Sequence, residues 1–247
     1  MLFRSTIITG EPVPAPPSLR DLRIGVPSAS YWEREDVDRG LAKCMQEAFA
    51  RLGDAGARLV EVDLDELVSI GDDLALAFAS GDRDRRAAEW LAQRAPTVTL
   101  QELYYGRATS TRAASRPELS QDARSELRSK AARRYADVFR STGIVAIAFA
   151  PEPTPAPPIQ PAGDSPDDQV EVNGRFTTRA ILTRNTWWGA RLGAPGLVLP
   201  AGLTAGLPVG LELEGMPGDD SRLLALGMAV ENLLGLLPPP PFVHKIV

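Results

Sequence analysis

From Thr183 to Glu231 the chain reads TRNTWWGARLGAPGLVLPAGLTAGLPVGLELEGMPGDDSRLLALGMAVE, and this stretch decides the fold. Leu197 to Pro200 is a short apolar run that reads as a strand. Leu207, Val209, Leu211 and Leu213 then alternate with Pro208, Gly210, Glu212 and Glu214, the period-2 pattern of a half-buried strand. That pattern places the four aliphatic side chains on the buried side. Asp219, Asp220 and Ser221 stand where a helix cap belongs, and Leu223, Leu224, Val230 and Leu234 carry a final helix. With its prolines and glycines, the last third of the chain thus reads as loops, strands and one final helix.

Working outward, Leu22 to Pro27 (LRIGVP) is an apolar run stopped by proline, a candidate buried strand. Val37, Leu41, Cys44, Met45, Ala48, Phe49 and Leu52 recur at helical spacing, with Asp36 available as a cap. Gly53 and Gly56 end that helix, and Ala57 to Val62 reads as the next strand, which makes a βαβ unit with a parallel pair. Between Ser28 and Ala150 the prolines are Pro96 and Pro117, of 22 in the chain, so the middle, Asp65 to Thr142, tolerates helix throughout. Its clearest helix puts Ala123, Leu127, Ala131, Tyr135, Val138 and Phe139 on one stripe and stops at Gly143. Ile144 to Phe149 (IVAIAF) is the most apolar strand candidate. It runs into the proline-rich APEPTPAPPI, which is extended, and residues 160–175 read as a surface loop.

A chain of 247 residues with 44% hydrophobic and 24% charged residues has the composition of a globular protein with a substantial core. One cysteine and one histidine leave neither a disulfide framework nor a Cys/His zinc site to assemble within one chain. The net charge of −5 argues against a strongly basic nucleic-acid binder. No apolar run approaches the ~20 residues of a membrane-spanning helix, and the first residues lack a signal-peptide pattern, so a cytoplasmic location is expected. The 24 arginines against three lysines, with abundant alanine, point to a GC-rich bacterial genome.

Candidate chemistry is sparse. Glu212 and Glu214 share one face of a strand with Cα atoms ~7 Å apart, the spacing of a paired-carboxylate site; without sugar-binding aromatics in register they read as a solvated strand face. Asp219 and Asp220 read as helix caps before they read as cation ligands. Cys44 lies on the apolar stripe of its helix and reads as a buried, inert thiol. His244, in a proline-flanked tail, has neither a G-x-S-x-G nor a second metal ligand to work with. Arg124, Arg128, Lys130, Arg133, Arg134 and Arg140 make one helix basic, but interleaved acids and the lack of an aromatic ladder make it a solvated face. Trp187-Trp188 reads as packing or as a pocket wall.

The Thr183–Glu231 stretch resembles the C-terminal part of the amidase signature family. That family shows an Asn, a Gly, a Gly-x-Pro, a Leu-Pro-x-Gly, a GLPVG strand, a G-x-x-x-D stretch and an LL-led helix. Here these are Asn185, Gly189, Gly193-Ala-Pro195, Leu199-Pro200-Ala-Gly202, Gly206 to Gly210, Gly215 to Asp219 and Leu223-Leu224. Upstream, ITGEPVPAP, LRIGVP, LAKCMQEAFARL, GARLVEVDL and IVAIAFAPEPTPAPPI follow in the family's order. The resemblance implies an α/β fold, the C-terminal part of an αβα sandwich with a mixed central sheet. Residues 1–247 would form one incomplete amidase-like domain, with residues 151–175 a proline-rich surface loop within it.

The family's reaction, as the resemblance implies, uses a Lys that activates one Ser through another, with backbone N–H groups holding the oxyanion. This sequence has no Ser-Ser pair and no Gly/Ser-rich loop, and Lys43, Lys130 and Lys245 fall in segments matching other parts of the family. No catalytic residue carries over, and no cofactor or metal is implied. The expectation is a truncated gene product, a separately encoded subunit or a fragment, inactive alone, whose substrate is a small amide once a partner chain supplies the catalytic signature. TRNTWWGARLGAPGLVLPAG resembles most the arylacetamide branch, such as mandelamide or indoleacetamide hydrolases. Thr183, Asn185, Trp187 and Trp188 are the candidates for substrate-pocket wall or loop support. Neither nucleic acid nor membrane is expected as a partner. The alternative is a non-catalytic α/β binding or assembly module derived from an amidase.

Overall fold

The two apolar runs LRIGVP and IVAIAF become adjacent central strands. In the computed structural model, which describes residues 14–78, 89–90, 92–94, 119–158 and 169–238, β1 (Arg23–Pro27) pairs in parallel with β2 (Arg58–Val62) and with β3 (Ala146–Phe149). β3 pairs antiparallel with β7 (Leu207–Glu214), and β7 antiparallel with β6 (Gly196–Thr204). The sheet order is β2-β1-β3-β7-β6, a mixed sheet as expected. All four residues of β3 are buried, because it has strands on both edges and helices on both faces.

Helix α1 (Arg39–Asp54) sits between β1 and β2 and buries Leu41, Cys44, Met45, Ala48, Phe49 and Leu52. With α5 (Asp220–Leu234) it covers one face of the sheet. On that face Leu197, Leu199, Val209, Leu211 and Leu213 are all buried. The other face carries α2 (Leu64–Phe78), α3 (Gln121–Thr142) and the short α4 (Trp187–Leu192), which pack on one another. α3 ends at Gly143 in the left-handed region (φ 66°), whose N–H caps the Phe139 carbonyl.

Several expectations change in detail. α1 is capped by Asp38, whose Oδ1 accepts from the Leu41 N–H at 2.8 Å, and Asp36 instead pairs with arginines. Asp219 occupies the cap position of α5, yet its side chain makes no capping hydrogen bond. β6 runs on through Pro200 to Thr204, with a register shift between Pro200 and Gly202. Leu207 is 39% exposed because it sits beside the Ala205-Gly206 turn, so the buried alternation starts at Val209. Part of the expected 160–175 loop is a hairpin: β4 (Gln169–Val172) and β5 (Arg175–Thr178) pair antiparallel across Asn173-Gly174. Both turn residues have positive φ (52° and 79°), which is what a two-residue hairpin turn of this kind demands. His244, Lys245, residues 160–168 and much of the middle third lie outside the described residues.

Candidate functional site

A 3₁₀ turn (Arg179–Thr183) leads through Arg184, Asn185 and Thr186 into α4, and it brings the four candidate residues onto one segment. They then divide by burial. Asn185 and Trp188 are fully buried; Thr183 and Trp187 are exposed.

Asn185 Nδ2 donates to the Ala150 carbonyl and to Tyr31 Oη, each at 2.8 Å. Its amide therefore ties three segments together: the end of β3, the helical turn Ala29–Trp32 that follows β1, and the approach to α4. Asn185 Oδ1 is buried and unpartnered among the described residues. Next to it, Arg184 donates to Tyr31 Oη at 3.2 Å and pairs with Asp36, which also holds Arg34. Burial works to raise the Asp36 carboxyl, but the hydrogen bond from Arg34 and the charge of Arg184 outweigh it and hold Asp36 below its ordinary range.

Trp188 Nε1 donates to Glu214 Oε1 at 2.8 Å, and its ring packs on Phe149 with centroids 5.4 Å apart. Tyr135 Oη of α3 lies 2.8 Å from the same Glu214 oxygen and 2.8 Å from the Gly215 carbonyl. Gly189 makes this approach possible, since a Cβ there would stand 1.7 Å from Glu214 Oε2. Trp187 points outward with the Arg191 guanidinium 4.1 Å above its ring.

The solvated strand face expected for Glu212 and Glu214 is therefore wrong. Glu214 is 2% exposed and Glu212 is half-buried, because α3 and α4 cover this end of β7. Burial pushes Glu212 up to about 7. Burial also raises Glu214, to about 8, with the Glu212 charge adding to the effect and the Tyr135 and Trp188 hydrogen bonds opposing it. The geometry accommodates a protonated Glu214. A tyrosine hydroxyl has one proton for two acceptors, so if Tyr135 donates to Gly215, the Glu214 carboxyl must supply the proton on the other contact. Arg134, expected on a solvated face, instead bridges α3 to α2 through Glu66 at 2.7 Å and Asp73 at 2.8 Å.

The hydroxyls of Ser28 and Ser30 are 3.0 Å apart in a depression of about 550 Å³ at the ends of β1 and β2, lined also by Tyr31 and Arg34. Lys43 lies on the solvent face of α1 beside Glu47, and no lysine among the described residues lines that depression. A larger apolar cavity, about 650 Å³, lies between α3, α5 and Pro14–Pro17. None of the four candidates lines either. Among the described residues no cluster of three or more His, Cys, Asp or Glu side chains could hold a metal ion.

An αβα layering around a mixed sheet, with Asn185 and Trp188 buried just ahead of the antiparallel pair β6–β7, defines the class as a layered α/β protein with a mixed central sheet. The profile of the family described as Amidase matches residues 11–224, and the chain belongs to this family, the amidase signature enzymes. It is 29% identical over 244 residues to an indoleacetamide hydrolase of Agrobacterium vitis, covering 92% of this chain and 50% of that protein. It is 26% identical over 261 residues to a mandelamide hydrolase of Pseudomonas putida, covering 97% and 49%. Its fold superposes on a crystal structure of an amidase with a TM-score of 0.70 at 23% identity, covering 95% of this chain and 50% of that one. For a bacterial aryl acylamidase the TM-score is 0.63 at 19% identity, covering 87% and 44%. The chain thus spans about half the length of the relatives it matches.

Proposed function

We propose that these residues form one half of an amide hydrolase acting on small arylacetamide-type substrates, with the Ser-Ser-Lys unit on polypeptide outside them. The observation that carries the reading is the family match over residues 11–224 combined with coverage of half of an indoleacetamide and half of a mandelamide hydrolase. The absence of a Ser-Ser pair or Gly/Ser-rich loop from the sequence supports it.

In this reading the chain builds and holds the site, and the nucleophile comes from elsewhere. Asn185 and Trp188, locked into the core by Ala150, Tyr31 and Glu214, keep the α4 approach rigid. Thr183 and Trp187, exposed on the same segment, form wall for the aryl group of the substrate. No helix among the described residues is long and apolar enough to cross a membrane.

The test assays the purified chain alone, then with the complementary half of a matched hydrolase, on indoleacetamide, mandelamide and a simple aliphatic amide. No turnover alone and turnover with the complementary half is the expected result. Turnover by the chain alone that is lost with a Ser or Lys substitution in it would refute the assignment. A well-folded monomer indifferent to the complementary half would establish a stand-alone binding module instead.

A further inference from the structure

The apolar cavity of about 650 Å³ takes no part in the reading above, and its size is that of a small-molecule site. Leu22, Ile144 and Val145 place it where β1 and β3 begin. Asn185 bonds Ala150, just past the other end of β3. Strands rise about 3.3 Å per residue, which puts Ala150 about 16 Å from Val145. The cavity is therefore separate from the segment that carries Thr183 and Trp187, and all its lining residues belong to this chain.

Its walls are apolar, built from Phe139 of α3, Met216, and Leu223 and Leu226 of α5. Val145, in the same lining, is 45% exposed, an aliphatic wall left to solvent. The charged lining residues are Arg140, Asp219 and Arg222. Arg140 is held by Asp137 at 2.8 Å. Asp219 makes no capping hydrogen bond to α5, and Arg222 Nη1 stands 3.7 Å from its Oδ1, too far for a hydrogen bond. A carboxylate and a guanidinium thus sit side by side at an apolar cavity, with their hydrogen-bonding capacity unspent on each other.

We propose that this cavity is a second binding site, separate from the α4 segment, for an uncharged aromatic amide, whose ring lies among Phe139, Met216 and Leu226 and whose carboxamide bridges Asp219 and Arg222. An amide oxygen accepts from the guanidinium while its NH2 donates to the carboxylate. A carboxylate ligand in the same place faces Asp219, an ammonium faces Arg222, and like charges brought together cost affinity. The net-neutral pair therefore selects a polar head group without charge. No residue outside this chain is needed, so the site stands whether or not a complementary half exists.

The probes are indole-3-acetamide, indole-3-acetate and tryptamine, an indole carrying in turn a neutral, an anionic and a cationic head at about pH 7. Equilibrium dialysis against the purified full chain reads binding in any assembly state. The amide should bind at least about tenfold more tightly than either charged probe. It should also slow hydrogen exchange in residues 136–145 and 215–226 but not in 183–192. Ala136→Phe fills the cavity from α3 and should weaken the amide about tenfold or more. Asp219→Ala removes the repulsion of an anion, so the acetate should then bind as well as the amide or better. Near-UV circular dichroism checks that each variant folds, and the exchange pattern of the parent decides the site if Ala136→Phe does not fold. Equal binding of the probes, no binding by the parent, or unchanged binding by a folded Ala136→Phe would overturn the proposal. Protection at 183–192 instead would move the amide to the α4 wall and overturn it too. Turnover with a complementary half tests the half-enzyme reading separately, and none of these outcomes bears on it.

Discussion

Replacing Glu214 by glutamine should remove much of the pH dependence of stability in this chain. The carboxyl is raised from 4.5 to about 8 in the folded protein, while in the unfolded chain it returns to its ordinary value. Below pH 4.5 both states hold the proton and the group contributes no pH dependence. Between there and pH 8 the unfolded state has released a proton that the folded state keeps, so stability falls as pH rises, and above about 8 the full cost is present. At about 1.4 kcal/mol per tenfold difference in proton affinity, the cost accumulated from pH 5 to pH 8 is on the order of 4 kcal/mol. Glutamine keeps an oxygen for Trp188 Nε1 but cannot pass a proton to Tyr135 from that oxygen, so the variant should lose about 1 kcal/mol near pH 5. At pH 8 it should be the more stable protein by a few kcal/mol. Urea midpoints of parent and Glu214→Gln, taken from pH 4.5 to 8.5, read this directly. The raised carboxyl of Glu212 stays in both proteins and gives a shared residual slope of the same sign. Parallel curves for the two proteins across this range would show that Glu214 is ionised in the folded state and that Tyr135 donates to it.

Leu211 is fully buried under α1 and α5, and Leu211→Ala should cost about 2–5 kcal/mol in chemical denaturation; no loss would mean that the other face of β7 is the core. Gly189→Ala would place a methyl 1.7 Å from Glu214 Oε2, and should lower the urea midpoint by an amount corresponding to about 1–3 kcal/mol or more, with Glu214→Ala in the same chain recovering part of it by making room. Asn185→Ala should destabilise by about 1–3 kcal/mol, because Ala150 and Tyr31 lose their shared donor inside the core, and it should do so whether or not a complementary half is present. Expressed alone, the chain should elute from size exclusion as oligomer or aggregate through the β6 edge, and a sharp monomer peak with cooperative unfolding would refute that.

Much of the sheet was legible because its strands are bounded by residues with one conformational meaning. LRIGVP and IVAIAF each run apolar into proline, and the helix between β1 and β2 ends in glycines, so element type and order follow from local chemistry alone. Asn173-Gly174 carried an equally local signal, since both residues accept positive φ at little cost, and VEV and RFT flank it as strands should. Reading residues 160–175 as one loop let the proline-rich approach to that segment outweigh its own turn. Asn173 then does more than turn the chain: its Nδ2 donates to the Val37 carbonyl at 2.7 Å and its Oδ1 accepts from the Arg39 N–H at 3.2 Å, fastening the hairpin to the start of α1.

The site was legible in a different way. Asn185, Trp187 and Trp188 stand out in sequence because of their order before a Gly-rich turn, and that order says where they fall along the chain without saying which are buried. Their distant partners decide that, Ala150 and Tyr31 for Asn185 and Phe149 and Glu214 for Trp188. Tyr135 lies 79 residues from Glu214 in sequence, and nothing in the alternation of β7 distinguishes a glutamate facing water from one facing a tyrosine and a tryptophan. Period-2 alternation assigns side chains to two faces of a strand, and it identifies the solvent face only when that face has no helix over it. Here the second face is covered at Glu214 and uncovered at Val198, on neighbouring strands of one hairpin. The change from covered to uncovered within one hairpin cannot be read from residue types. It follows from where α4 ends, at Gly193 with φ 71°, and that left-handed residue turns the chain back into β6 before the helix layer reaches the edge of the sheet.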